Sequence, residues 1–131
     1  MMTSQEEYKC LIERSRRFRE TACMQADRGF FDLAAFSLEQ SIQLYIKACL
    51  LKLGLEYSRT HSIRRLMELL YEVTGREEIK TLVSKFSVEV GALEDAYITS
   101  RYTARTYSPE EIMRLKKVVE ELTHVIGEII S

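Results

Sequence analysis

Arg101-Tyr102 and the nearby Arg105 and Tyr107 place guanidinium and phenol groups close together in the chain. A guanidinium forks onto phosphate oxygens, and an aromatic ring stacks on a base, so this mix suits single-stranded nucleic acid. Arg101 also falls one helical turn after Tyr97, on the side of an apolar seam, where an arginine needs a partner. Two uses are open to it. It caps the last carbonyls of its own helix, or it reaches into a cleft and holds an anion. His61, in Ser58-Arg59-Thr60-His61-Ser62-Ile63, stands at the mouth of a short helix. There Thr60 or Ser62 caps the helix while His61 bonds a nearby backbone group, or the ring helps hold a phosphate at the helix N-terminus.

Other chemistry has less support. Glu121 and His124 have the Glu-x-x-His spacing of di-iron bundles, but in a single copy. They share a polar helix face with Arg114, Lys117 and Glu128, so no metal site is expected. Cys10, Cys23 and Cys49 are widely spaced and make no Cys-x-x-Cys pair, which excludes a zinc knuckle and points to small buried thiols. No glycine-rich phosphate loop and no signature of a serine or cysteine nucleophile is present, and no cofactor is implied. Arg14, Arg16, Arg17 and Arg19 crowd one helix and read as a solvated face, with a basic groove as the second reading. With 19 basic and 20 acidic residues the net charge is -1, so no global field draws nucleic acid or anionic lipid. Three thiols and the lack of a secretory signal lead us to expect a reducing, cytoplasmic setting, and no apolar run is long enough to span a membrane.

The elements that position these residues are all helical. Glycine and proline are scarce, at 5 and 1, and sustained strand-like alternation is absent. Periodicity predicts helices over about Ser4–Ala26, Phe31–Leu53, Ser62–Val73, Glu77–Arg101 and Ser108–Ile130. Gly54 is expected to end the second in a left-handed conformation. Ser108-Pro109-Glu110-Glu111 is the clearest start signal: serine caps, proline takes the first turn, and the acids suit the positive helix end. One domain over residues 1–131 is expected, an all-α, antiparallel, up-and-down four-helix bundle with one extra short helix.

The second helix is unusual in being apolar on two sides. Leu38, Ile42, Tyr45 and Cys49 form one face, and Leu33, Phe36, Leu44 and Leu51 fall roughly opposite, with Gln40 and Lys47 inside that second stripe. Such a helix lies at the centre of a bundle, or between a bundle and a partner.

These residues resemble the HEPN domain family, helical domains found in higher eukaryotes and prokaryotes beside nucleotidyltransferases. The family's second helix reads Ala-x-Phe and then Gln-Gln-Ala-x-Glu-Lys-x-x-Lys-Ala-x-Leu. Ala34, Phe36, Gln40, Lys47, Ala48 and Leu50 fit it, whereas Glu39, Ser41, Gln43 and Leu44 depart from it. A Thr-His before a short helix matches Thr60 and His61, and an Arg-Tyr after a long helix matches Arg101 and Tyr102; the usual proline that follows is Thr103. Ribonuclease members carry an arginine, four to six residues, and a histidine; counting on from Arg101, those positions hold Thr106, Tyr107 and Ser108.

The resemblance implies a homodimer with the arginine loop near a cleft between subunits. It also implies a nucleotide- or RNA-binding module that works with a separate minimal nucleotidyltransferase, in some members as a toxin–antitoxin pair. On it rests the expected anion site, Arg101 with Tyr102, supported by His61, Gln40 and Lys47. A metal-independent ribonuclease in which Arg101 holds the scissile phosphate is the second reading, and a structural dimer or adaptor the third.

Overall fold

The computed structural model describes residues 1–56, 59–102 and 105–131, and the side chains of these except 100–102. Expectations that rest on Ser58, Thr103 and Ala104, or on the side chains of Arg101 and Tyr102, lie outside the described residues. The described chain forms α1 (Ser4–Asp27), α2 (Phe31–Lys52), α3 (Ile63–Thr74), α4 (Glu77–Lys85), α5 (Ser87–Tyr102) and α6 (Pro109–Ile130), with no strand among the described residues.

Local chemistry sets the helix ends. Thr3 Oγ1 accepts from the Glu6 amide, and Ser62 Oγ accepts from the Arg65 amide at 3.2 Å. At α6 the predicted start is a full capping box: Ser108 Oγ accepts from the Glu111 amide while Glu111 reaches back to the Ser108 amide. Gly54 has φ +90°, and its amide and that of Leu55 return to the carbonyls of Leu51 and Leu50. That double closure requires the left-handed conformation glycine adopts without strain.

Helix α2 lies at the centre, packed against α1, α3, α5 and α6. Leu38, Ile42, Ile46, Cys49 and Leu50 are buried in the shared core with Leu66 and Met67 of α3, Leu93 of α5, and Leu122 and Ile126 of α6. Four helices of the same chain therefore supply the burial of this face of α2. The opposite stripe differs from expectation. Leu33 is exposed, Leu44 and Leu51 are half-buried, and the buried residues beside them are polar: Glu39, Gln43 and Lys47.

Helices α1 and α2 pack closely through small polar residues. Ser15 Oγ donates to the Ser41 carbonyl at 2.6 Å, and Ser41 Oγ donates to the Ser15 carbonyl at 2.9 Å. Further along, Ser37 Oγ donates to Gln25 Oε1 at 2.7 Å. Both helices spend side-chain hydroxyls on each other, which lets their backbones approach.

The single helix expected over Glu77–Arg101 is two helices. Phe86, with φ −109° and ψ 25°, interrupts it. No glycine or proline marks the break. The apolar seam has two destinations instead: α4, through Ile79 and Leu82, serves the α3 side, whereas α5, through Val90, Leu93 and Ala96, packs on α2. Arg64 ties α3 to α5. It donates to the Ser87 carbonyl at 2.8 Å and to Glu94 at 3.1 Å, and it crosses Gly91 so closely that a Cβ there would meet the guanidinium at 3.1 Å.

Candidate functional site

A polar file runs along the buried flank of α2. Glu39, Gln43 and Lys47 are spaced at i, i+4 and i+8, so their side chains stack along one face. Gln43 Nε2 donates to Glu39 Oε2 at 2.7 Å, and Lys47 Nζ donates to Gln43 Oε1 at 3.0 Å. Gln40 Nε2 donates to the other carboxylate oxygen of Glu39 at 2.8 Å. Each of the three file residues is less than a tenth exposed. Buried polar groups are tolerated when they satisfy one another, and these do.

Burial perturbs both charged ends. It pushes the Glu39 carboxyl from the usual 4.5 up to about 7, although amides from Gln43 and Gln40 and the charge of Lys47 pull it back. Burial likewise lowers the Lys47 ammonium, with Glu39 opposing. An acid that gains a proton near neutrality and an ammonium short of water thus share one hydrogen-bonded file.

The segment before α3 closes over this file. His61 Nδ1 lies 3.1 Å from Gln43 Oε1, so the ring bonds a side chain of α2. Of the two expected caps, Ser62 caps α3, while Thr60 Oγ1 accepts from the Ser62 amide at 3.2 Å. The His61 ring stacks on Tyr97 of α5, with centroids 4.7 Å apart and planes at 25°, and Tyr97 lies 6.4 Å from Phe36 of α2. Three elements therefore meet here: α2, the 59–62 segment and the last turns of α5. Arg101 and Tyr102 follow Tyr97 by about one turn in the same helix.

Of the sequence-predicted site residues, His61 and Lys47 meet on Gln43, and Gln40 is linked to them only through Glu39. Glu39, Gln43, Phe36 and Tyr97 join them as further components of the site. The signal for Glu39 was a carboxylate inside an otherwise greasy helix, and for Gln43 its place one turn from both Glu39 and Lys47.

Arg105 and Tyr107 are otherwise engaged. The Arg105 guanidinium packs 4.3 Å over the Tyr107 ring and donates to Glu111 at 3.2 Å, and Tyr107 is buried. They anchor the start of α6. The arginines of α1 lie mainly on its solvated face, where Arg16 pairs with Glu13 and Glu20. Glu121 and His124 serve different partners: Glu121 meets Lys85 at 3.3 Å and His124 meets Glu128 at 3.0 Å. Among the described residues no three metal-ligating side chains cluster. The Cys49 thiol is buried and pushed up to about 12, which makes it a poor nucleophile. An apolar cleft of about 290 Å³ between α1, α2 and α6, lined by Ala22, Phe31, Leu38 and Ile112, lies apart from the polar file.

A central helix carrying an inward polar file, roofed by a histidine at the mouth of a short helix, defines an all-helical domain built around α2. The chain belongs to the HEPN domain family, whose profile matches residues 8–129, nearly its whole length. Among curated proteins none matches the sequence. No described helix is long and apolar enough to cross a membrane.

Proposed function

We propose that this HEPN domain binds a nucleotide or an RNA phosphate where α2, the 59–62 segment and the end of α5 meet. The observation that carries the reading is the convergence of Lys47, Gln43 and His61 beside the turn that leads into Arg101 and Tyr102. The Lys47 ammonium and, when the ring is protonated, His61 Nε2–H are donors a phosphate calls for, Gln43 holds both side chains in place, and the Tyr97 stack gives the site an aromatic floor. In this reading Arg101 supplies the fork for phosphate and Tyr102 assists it. Gln40 braces Glu39 from the far side.

The wider arrangement follows the family. The helices form an antiparallel four-helix bundle of α1, α2, α4–α5 and α6, with α3 as the extra short helix. Two copies associate, and a separate minimal nucleotidyltransferase is the working partner, in a toxin–antitoxin pair or a related system. Binding is favoured over RNA cleavage because the arginine–histidine spacing of the ribonuclease members is absent: the positions counted on from Arg101 hold Thr106, Tyr107 and Ser108. Glu39 is fully buried beneath two amides, out of reach of a substrate.

Titration of AMP and of a short single-stranded RNA into the protein tests the reading. Arg101→Ala is expected to weaken binding on the order of tenfold or more, the scale of a charge-assisted hydrogen bond. Saturable binding by neither probe would remove the proposal, and RNA cutting by the wild type that Arg101→Ala abolishes would replace it with the nuclease reading.

A further inference from the structure

The geometry points to Gln43 as a positioning residue that fixes which ring nitrogen of His61 carries the proton. Lysine has donors and no acceptor, so the Gln43 atom 3.0 Å from Lys47 Nζ must be the carbonyl oxygen. The amide nitrogen then faces Glu39 Oε2 at 2.7 Å, as an acceptor carboxylate requires. Both neighbours thus demand the same orientation of the amide. That carbonyl oxygen also lies 3.1 Å from His61 Nδ1. An oxygen acceptor can bond Nδ1 only if Nδ1 bears hydrogen, so the neutral ring has its proton on Nδ1 and its lone pair on Nε2.

An unconstrained neutral histidine favours the opposite tautomer. Here three things hold the less common one. Gln43 is buried, so water does not readily take its place. Tyr97 stacks on the ring and holds its plane. Among the described residues, Lys47 and Glu39 from α2 orient the Gln43 amide and His61 faces it from the segment before α3, while Glu94 of α5 acts on Glu39. The file along α2 therefore sets the chemistry of a residue on another element. This rests on the proposed function only in that it concerns the same site; the placement of the proton stands without a ligand.

Long-range proton–nitrogen correlation NMR of the histidine rings, on the full chain at about pH 8, reads the tautomer directly. Wild type is expected to carry the His61 proton on Nδ1. Gln43→Leu, which removes the acceptor, is expected to shift the population toward Nε2–H, and Gln43→Glu, which retains an acceptor, to keep Nδ1–H. A wild type with its proton on Nε2, or a Gln43→Leu variant unchanged from wild type, overturns the inference, and the wild-type spectrum decides even if the variants fold poorly. Titration of AMP into the same sample separates the two claims. Absence of AMP binding with Nδ1–H intact counts against the ligand reading and supports this one.

Discussion

His61 Nδ1 stands 3.1 Å from Gln43 Oε1, which ties the mouth of α3 to the middle of α2. Through that contact the buried file on α2 reaches a side chain at the protein surface. The two residues are 18 positions apart in the chain, and no local pattern joins them.

The Glu39 carboxyl gives the fold a pH dependence of unusual sign. In the unfolded chain it loses its proton near 4.5, and in the fold it holds the proton to about 7. Between those values the folded state binds more protons, so this group's contribution to stability falls as pH rises through the window. The full difference is about 3 kcal/mol. Glu39→Gln keeps an acceptor for Gln43 and removes the charge. Denaturant unfolding at about pH 5 and about pH 8 should show wild type losing stability relative to Glu39→Gln as pH rises. A constant difference between them would contradict the burial argument.

The reciprocal Ser15–Ser41 contact predicts a size-ordered series at position 41. Ser41→Ala loses one buried hydrogen bond and should cost about 1 kcal/mol. Ser41→Leu must also push α1 away from α2 and should cost roughly 1–3 kcal/mol more. Urea denaturation of the two variants checks the order; leucine tolerated as well as alanine would mean the helices are not closely apposed.

The thiols should separate by accessibility. Cys49 is buried and held as the thiol, whereas Cys10 and Cys23 are half-buried. A disulfide reagent such as DTNB should modify Cys10 and Cys23 in the native protein and reach Cys49 only on unfolding. Rapid native modification of Cys49 would place α2 at the surface rather than the centre.

Arg105 and Arg101 look alike in sequence and should behave differently. Arg105 is committed to Tyr107 and Glu111. Because its ion pair is about one-third exposed on each side, Arg105→Ala should cost only about 0.5–1 kcal/mol of stability. Affinity for AMP should stay within a factor of about two, a change too small to count as a lost contact. Parallel titrations of both alanine variants test the distinction, and equal losses of affinity would return Arg105 to the site.

The helices were legible because periodicity, caps and glycines agreed along the chain. Ser108-Pro109-Glu110-Glu111 announced α6, and Gly54 announced the end of α2. The interruption at Phe86 was not legible. Nothing local breaks the pattern there, and the cause is that its two halves serve different neighbours. The apolar pattern of α2 tells only part of its burial. The flank bearing Gln40 and Lys47 is only partly buried, and its buried edge is polar: Glu39, Gln43 and Lys47, which satisfy one another. Helical spacing alone brought Glu39, Gln43 and Lys47 within reach. That His61 and Tyr97 would close over them depended on how α3 and α5 dock, which no local pattern records.

The most direct measurement of the proposed site is a residue-resolved titration of isotopically labelled protein with AMP, followed by two-dimensional NMR. Saturable shifts are expected at Gln40, Gln43, Lys47, His61 and the last turn of α5, with α1 and the outer face of α6 unmoved. Shifts confined to the apolar cleft around Ala22, Phe31 and Ile112, or no shifts at all, would contradict it.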